Sequence, residues 1–214
     1  MLCTHLYVPP PPPMSLFVPS SRFQLSAVRT AMRPGVVMPV RHLSGSPKQI
    51  SVAIAGATGA VGQELLELLT ERKFPLKNLK LLASARSAGK KMEFNGQELT
   101  VEELTENSFD DVDVAFFSAG GSQSRKFGPI AGKAGCLVID NSSAFRMAPD
   151  CPLVVPEVNS NAIPDAEGSM IIANPNCSTI IMNTVVWPIH QVSECKRIIV
   201  STYQAASGAG AQAM

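Results

Sequence analysis

The run Ile172-Ala173-Asn174-Pro175-Asn176-Cys177-Ser178-Thr179 puts one cysteine where a thiol can be made reactive. A short apolar stretch stops at an Asn-Pro-Asn turn and hands Cys177 to the start of a predicted helix, whose apolar body runs from Ile180 to Ile189. The first N–H groups of a helix, with its macrodipole, favour a thiolate. Ser178 and Thr179 supply hydroxyls that can satisfy the same helix end. The chemistry in view is attack by sulfur on an electrophilic carbon. The plain alternative is a cysteine acting as a small hydrophobe, the commoner fate of an unpaired thiol, and spacing alone leaves both open.

A second chemical signal lies upstream. Ile50-Ser51-Val52-Ala53-Ile54-Ala55 predicts a buried strand that runs into Gly56-Ala57-Thr58-Gly59-Ala60-Val61-Gly62, and Val61, Leu65, Leu68 and Leu69 then recur at helical spacing. In a strand, glycine turn and helix unit, glycines allow a tight turn, close approach of N–H groups to a pyrophosphate, and close packing of helix on strand. Gly56, Thr58, Gly59, Ala60, Val61 and Gly62 are the candidate cofactor contacts. The spacing is Gly-x-x-Gly-x-x-Gly, a departure from the commonest form. The next strand, Leu79 to Ala83, exits without the acid that would hold the ribose 2′-hydroxyl of NAD. It offers Ser84, Arg86, Ser87, Lys90 and Lys91, hydroxyls and cations suited to a 2′-phosphate. Arg86 and Ser87 therefore point to NADP, the alternative being a solvated basic turn.

The rest of the chain alternates as an open parallel sheet requires. A hairpin is expected from Phe94 to Val101 about Asn95-Gly96. A strand follows over 112–118, a helix over 124–132, a strand over 137–140, and another strand over Arg197 to Thr202. Strands ending in small polar residues, each followed by a helix, predict a doubly wound α/β domain with ligands at the strand ends.

At 214 residues and 45% hydrophobic the chain can bury a core, and a formal charge of +1 gives no reason to expect nucleic acid. No apolar stretch is long enough to span a bilayer, so no membrane partner is expected. Five cysteines, Cys3, Cys136, Cys151, Cys177 and Cys195, are odd in number and lack metal-ligand spacing, which predicts neither a disulfide framework nor a metal site. Residues 1–48 stand apart: Arg22, Arg29, Arg33, Arg41 and Lys48 occur with many Ser and Pro, and the first acid of the chain is Glu64. Such a leader has the composition of an organellar transit peptide, with a plain disordered extension as the alternative.

Six segments together resemble the aspartate-semialdehyde dehydrogenase family in order and spacing. They are Gly56 to Gly62, Ser118-Ala-Gly-Gly-Ser122, Asp140-Asn-Ser-Ser143 with Phe145-Arg146, Val155-Pro-Glu-Val-Asn159, Asn174-Pro-Asn-Cys-Ser-Thr179 and Ser201-Thr-Tyr-Gln-Ala-Ala-Ser-Gly208. The N-acetyl-glutamyl-phosphate reductases are the runner-up; their cysteine is typically followed by Tyr-Pro, whereas Ser178-Thr179 follows here. A non-catalytic NADP-binding module is the alternative from another class. The resemblance implies a Rossmann-type NADP-binding domain over 49–174 and, over 175–214, the start of an α+β catalytic and dimerisation domain. It implies that Cys177 is the nucleophile and that Gln204 orients substrate. Arg146 would bind the substrate phosphate, where the sequence alone leaves a surface cation. Asn176 would help place the acyl oxygen, and Ser207 and Gly208 would contact the cofactor near its nicotinamide.

The implied reaction is NADPH-dependent reductive dephosphorylation of 4-phospho-L-aspartate to aspartate semialdehyde through a cysteine thioester. It belongs to lysine, threonine, methionine and isoleucine biosynthesis, in a homodimer of the full-length protein. Because that synthesis is often plastidic, a plastid stroma is expected ahead of a mitochondrion. Family members continue beyond the segment seen here, with an arginine for the substrate carboxylate and a histidine as general acid/base. His5, His42 and His190 match neither position, so the 214-residue chain is expected to be a fragment without turnover.

Overall fold

Val52, Ala53, Ile54 and Ala55 are all buried because their strand, β1 (Ile50–Ala55), has a parallel neighbour on each side and a packed layer on each face. The computed structural model describes residues 49–163 and 170–209. After β1 come α1 (Ala60–Glu71), β2 (Leu76–Ala83), β3 (Lys91–Phe94), β4 (Gln97–Glu103), β5 (Val114–Phe117), α2 (Gly121–Lys133), β6 (Leu137–Asp140), α3 (Pro156–Asn159), β7 (Ile171–Ala173) and α4 (Cys177–Val192). The seven strands form one sheet in the order β3-β4-β2-β1-β5-β6-β7. All neighbours are parallel except β3 and β4, a hairpin turning at Asn95 (φ +51°) and Gly96 (φ +75°). Two successive positive φ values are what a two-residue hairpin turn needs, and Asn-Gly supplies them cheaply.

The strands run outward from β1 in one direction to β2 and β4, then return and run the other way through β5, β6 and β7. The strand order therefore reverses between β1 and β5, the switch point at which ligands lodge in open α/β sheets. Side chains alternate across the sheet. On one face Val52, Ile54, Leu81 and Val101 pack with Leu66 and Leu69 of α1; on the other Ala53, Ala55, Leu82, Phe117 and Val138 pack with Phe127 and Ala131 of α2. Phe109 stacks on Phe117 with ring centroids 5.7 Å apart. Each such side chain contributes about 1.5–3 kcal/mol by leaving water. Helices on both faces make this a Rossmann-like α/β domain, as the alternation predicts.

Two details differ from expectation. The inward face of α1 is Gly62, Leu66 and Leu69, while Val61 and Leu68 are exposed at 43% and 41%. Gly62 is the reason: a Cβ there would stand 2.4 Å from the Gly56 carbonyl oxygen, so the helix seats this residue against the turn and its rotation is fixed accordingly. The strand expected over 197–202 does not form, and no regular structure occurs between Ser193 and Ala205. A strand needs a neighbour for its ladder, and no described strand pairs with it. No helix among the described residues is long and apolar enough to cross a membrane.

Candidate active site

At the switch point, β1 ends in Gly56 with φ +95°, and a Cβ there would stand 2.5 Å from the Ser118 carbonyl oxygen. Only glycine lets the exits of β1 and β5 touch in this way. The turn closes with Gly59 N–H donating to the Gly56 carbonyl at 3.0 Å, and α1 begins without a side-chain cap or an acid in its first turn. Its leading N–H groups, rimmed by exposed Gly59, Ala60 and Val61 and half-buried Thr58, form a helix start of the kind that can receive an anion. Gly56 and Ala57 both donate to the Leu82 carbonyl, at 2.8 and 3.2 Å, which ties the turn to the end of β2. There a 3₁₀ turn over Ala85–Ser87 carries exposed Arg86 and half-buried Ser87. The topology thus brings Gly56 to Gly62, Arg86 and Ser87 to adjoining strand ends.

Cys177 is the first residue of α4 and is exposed. The helix end is capped by Asn176, whose Oδ1 accepts from Thr179 N at 2.9 Å and from Thr179 Oγ1 at 2.6 Å. Here the structure corrects the sequence reading: Asn176 is the acceptor and Thr179 a donor to it, because a side-chain oxygen one residue before the helix meets the first free N–H groups. Gln204 Nε2 donates to Ser178 Oγ at 2.6 Å, which places Gln204 beside the cysteine turn. Arg146 donates from Nε to the Asn174 carbonyl at 2.9 Å and from Nη2 to the Asn141 carbonyl at 3.1 Å, so it is no loose surface cation. Ser207 and Gly208 fall in a 3₁₀ turn, Ala206–Ala209, a few residues past Gln204.

Residues to which the sequence assigned no role complete this corner. Asp140 is fully buried at the end of β6, where its carboxylate accepts from Ser124 Oγ at 2.7 Å, Ser142 Oγ at 2.8 Å and Ser142 N at 3.1 Å. Asn174 Nδ2 donates to Asn141 Oδ1 at 2.8 Å. The available signal was a polar residue directly after each of two short apolar strands. Cys136 contrasts with Cys177: it is buried, and burial, aided by the charge of Asp113, pushes its thiol from the usual 9.0 up to about 12. It is a packing residue.

Residues 51–166 match the family described as "Semialdehyde dehydrogenase, NAD binding domain". The chain belongs to the semialdehyde dehydrogenase family. Within it, the aspartate-semialdehyde dehydrogenase of Synechocystis is 56% identical over 168 residues, covering 78% of this chain and 49% of that protein. The crystal structure of aspartate semialdehyde dehydrogenase II from Vibrio cholerae superposes with a TM-score of 0.74 at 52% identity, over 78% of this chain and 50% of that one; that enzyme has also been solved complexed with ASA. The Candida albicans aspartate semialdehyde dehydrogenase with NADP gives a TM-score of 0.59 at 27% identity, over 69% of this chain and 48% of that one. The chain spans about half the length of the curated relatives it matches. The aspartate-semialdehyde dehydrogenase resemblance seen in the sequence is thereby borne out, as is an NAD(P)-binding domain.

Proposed function

We propose that this chain carries the dinucleotide cradle and the nucleophile of an aspartate-semialdehyde dehydrogenase that reduces 4-phospho-L-aspartate with NADPH. The observation that carries this is an exposed cysteine at a capped helix start, in the same fold as a strand, turn and helix unit so closely packed that Gly56 and Gly62 admit no Cβ. Cys177 Sγ attacks the acyl carbon, the C–O bond to phosphate breaks, and phosphate leaves with the electron pair, giving a thioester on Cys177. NADPH, when bound, supplies the hydride that takes this thioester to the aldehyde level. A thioester accepts hydride far more readily than a carboxylate does, so one hard step becomes two easier ones. Arg146 has five N–H donors, and its two main-chain bonds leave capacity for a phosphate oxygen. Gln204, held against Ser178, would orient the acyl group, and Asn176, whose oxygen is fixed as the cap, would use its amide N–H₂ for the acyl oxygen. Ser207 and Gly208 would contact the nicotinamide end of the cofactor.

NADP is preferred over NAD because Arg86, which no described residue pairs with, stands with Ser87 at the β2 exit where an acid would select NAD. The general acid/base is not His190. It lies thirteen residues along α4 from Cys177, about 20 Å at 1.5 Å per residue, stacked on Trp187 and accepting from Cys195 N at Nδ1. The histidine and carboxylate-binding arginine are assigned to the half of the family's length that this chain does not match, as is the dimer contact. The domain division at residues 174 and 175, the biosynthetic pathway and delivery to a plastid by residues 1–48, which lie outside the described residues, are further parts of the proposal. A reporter fused to residues 1–48 that stays cytosolic would remove the last of these.

A chain joined to the second half of a curated relative should reduce NADP with aspartate semialdehyde only when phosphate is present, and should lose this as Cys177→Ala. Turnover by residues 1–214 alone would show that another group does the work assigned to the histidine.

A further inference from the structure

Three hydrogen bonds join the exits of β6 and β7 beyond the point where the sheet's own ladder stops. The strands pair Val138 with Ile171, Ile139 with Ile172 and Asp140 with Ala173, and the last rung runs from Asn174 N–H to the Asp140 carbonyl at 2.8 Å. The next rung would be Ser142 N–H to the Asn174 carbonyl, but Ser142 N donates at 3.1 Å to the Asp140 carboxylate instead. Side chains take over. Asn174 Nδ2 donates to Asn141 Oδ1 at 2.8 Å, while Arg146 holds the carbonyls of Asn174 and Asn141 together at 2.9 and 3.1 Å. Asn141 is itself fixed from behind, since the buried Asp140 carboxylate is held by Ser124 of α2 and by Ser142. Cys177 follows Asn174 by three residues.

We propose that Asn141 and Asn174 form a latch that fixes the Pro175-Asn176 turn and so sets where the Cys177 sulfur stands, acting as positioning residues for its chemistry. The proposal rests on Cys177 being the nucleophile. The latch has a direction: Asn141 gives the acceptor oxygen and Asn174 the donor. Asn141→Asp keeps the acceptor and charges it, which shortens and strengthens such a bond. Asn174→Leu keeps nearly the same volume but has no polar atom, and loses the bond. Asn141→Asp adds a negative charge and Asn174→Leu does not, so an effect of charge on the thiol would slow Asn141→Asp more, the reverse of the order the latch requires.

The test is iodoacetamide labelling of the full 214-residue chain near neutral pH, with each cysteine quantified separately by mass spectrometry. Asn174→Leu should slow labelling of Cys177 by about two- to fivefold, as the loosened turn takes the sulfur out of the field of the helix start. Asn141→Asp should keep the unsubstituted rate. Buried Cys136 and the distal Cys195 serve as references and should be unchanged in both. Equal rates at Cys177 in the two variants would overturn the latch. Labelling of Cys136 in either variant would also overturn it, since the pair would then hold the fold rather than the cysteine turn. A Cys177 that labels no faster than Cys195 in the unsubstituted chain would instead overturn the nucleophile assignment.

Discussion

Gly62→Ala sets two expectations of opposite sign against each other. Within an exposed helix, alanine in place of glycine gains about 1 kcal/mol from propensity. Here the added Cβ would lie 2.4 Å from the Gly56 carbonyl oxygen and 2.6 Å from that of Ala57, roughly 1 Å inside ordinary contact, and both obstacles are backbone. Nothing flexible can yield, so α1 must lift off the turn and loosen Leu66 and Leu69, both buried against β1 and β2. Overpacking of this kind costs about 1–3 kcal/mol. At about 2–4 °C per kcal/mol for a domain of this size, the midpoint of thermal unfolding should fall by roughly 2–12 °C. Because the same displacement pulls the leading N–H groups of α1 away from the cradle, calorimetric NADP affinity should fall more than tenfold. Gly121→Ala, at a helix start where the nearest neighbour is the flexible Arg125 guanidinium at 3.5 Å, is the control and should leave both values close to those of the unsubstituted chain. A Gly62→Ala chain with an unchanged or higher midpoint and intact NADP binding would refute both the close-packing argument and the placement of the dinucleotide.

Other expectations follow from the same geometry. Arg86→Asp should weaken NADP by about 10- to 100-fold, the worth of a lost charge-assisted contact, with little effect on NAD; equal losses in parallel titrations would remove the 2′-phosphate assignment. Cys136, held protonated to about pH 12 in the fold, titrates near 9.0 when exposed, so its stabilising contribution is complete below pH 9 and is lost as pH rises from there toward 12. Denaturant titrations should therefore show an alkaline decline that Cys136→Ala flattens, and an identical slope in both would contradict the burial effect. Asn176→Ala should cost about 1 kcal/mol at the start of α4, seen as faster hydrogen exchange at Thr179 with Leu81 and Val138 unaffected; uniform exchange changes would speak against a local cap.

Much of this architecture is legible in sequence because each signal is local. Ile50–Ala55, Asn95-Gly96 and Leu137–Asp140 declare themselves by apolar runs and turn chemistry, and all three appear where expected. The rotation of α1 is not local: it is set by Gly62 meeting the Gly56 carbonyl, a contact that hydrophobic spacing cannot reveal. The 197–202 segment has strand composition but no described partner, and composition alone does not make a ladder. At the site, Cys177 and the glycine turn stand out because reactive thiols and phosphate cradles have narrow requirements. Asn141 and Asn174 do not, since their function arises only when β6 and β7 lie side by side, 33 residues apart in sequence.

The central claim is that the Cys177 sulfur takes the acyl group from an acyl phosphate. Mixing the chain, joined to the second half of a curated relative, with 4-phospho-L-aspartate without NADPH, then quenching in acid for peptide mass analysis, tests it directly. An aspartyl thioester should appear on Cys177 and on no other cysteine, matched by an equal amount of released phosphate, and both should vanish in Cys177→Ala. Phosphate release that persists in Cys177→Ala, or an unmodified Cys177 in a chain shown to be folded, would contradict the account.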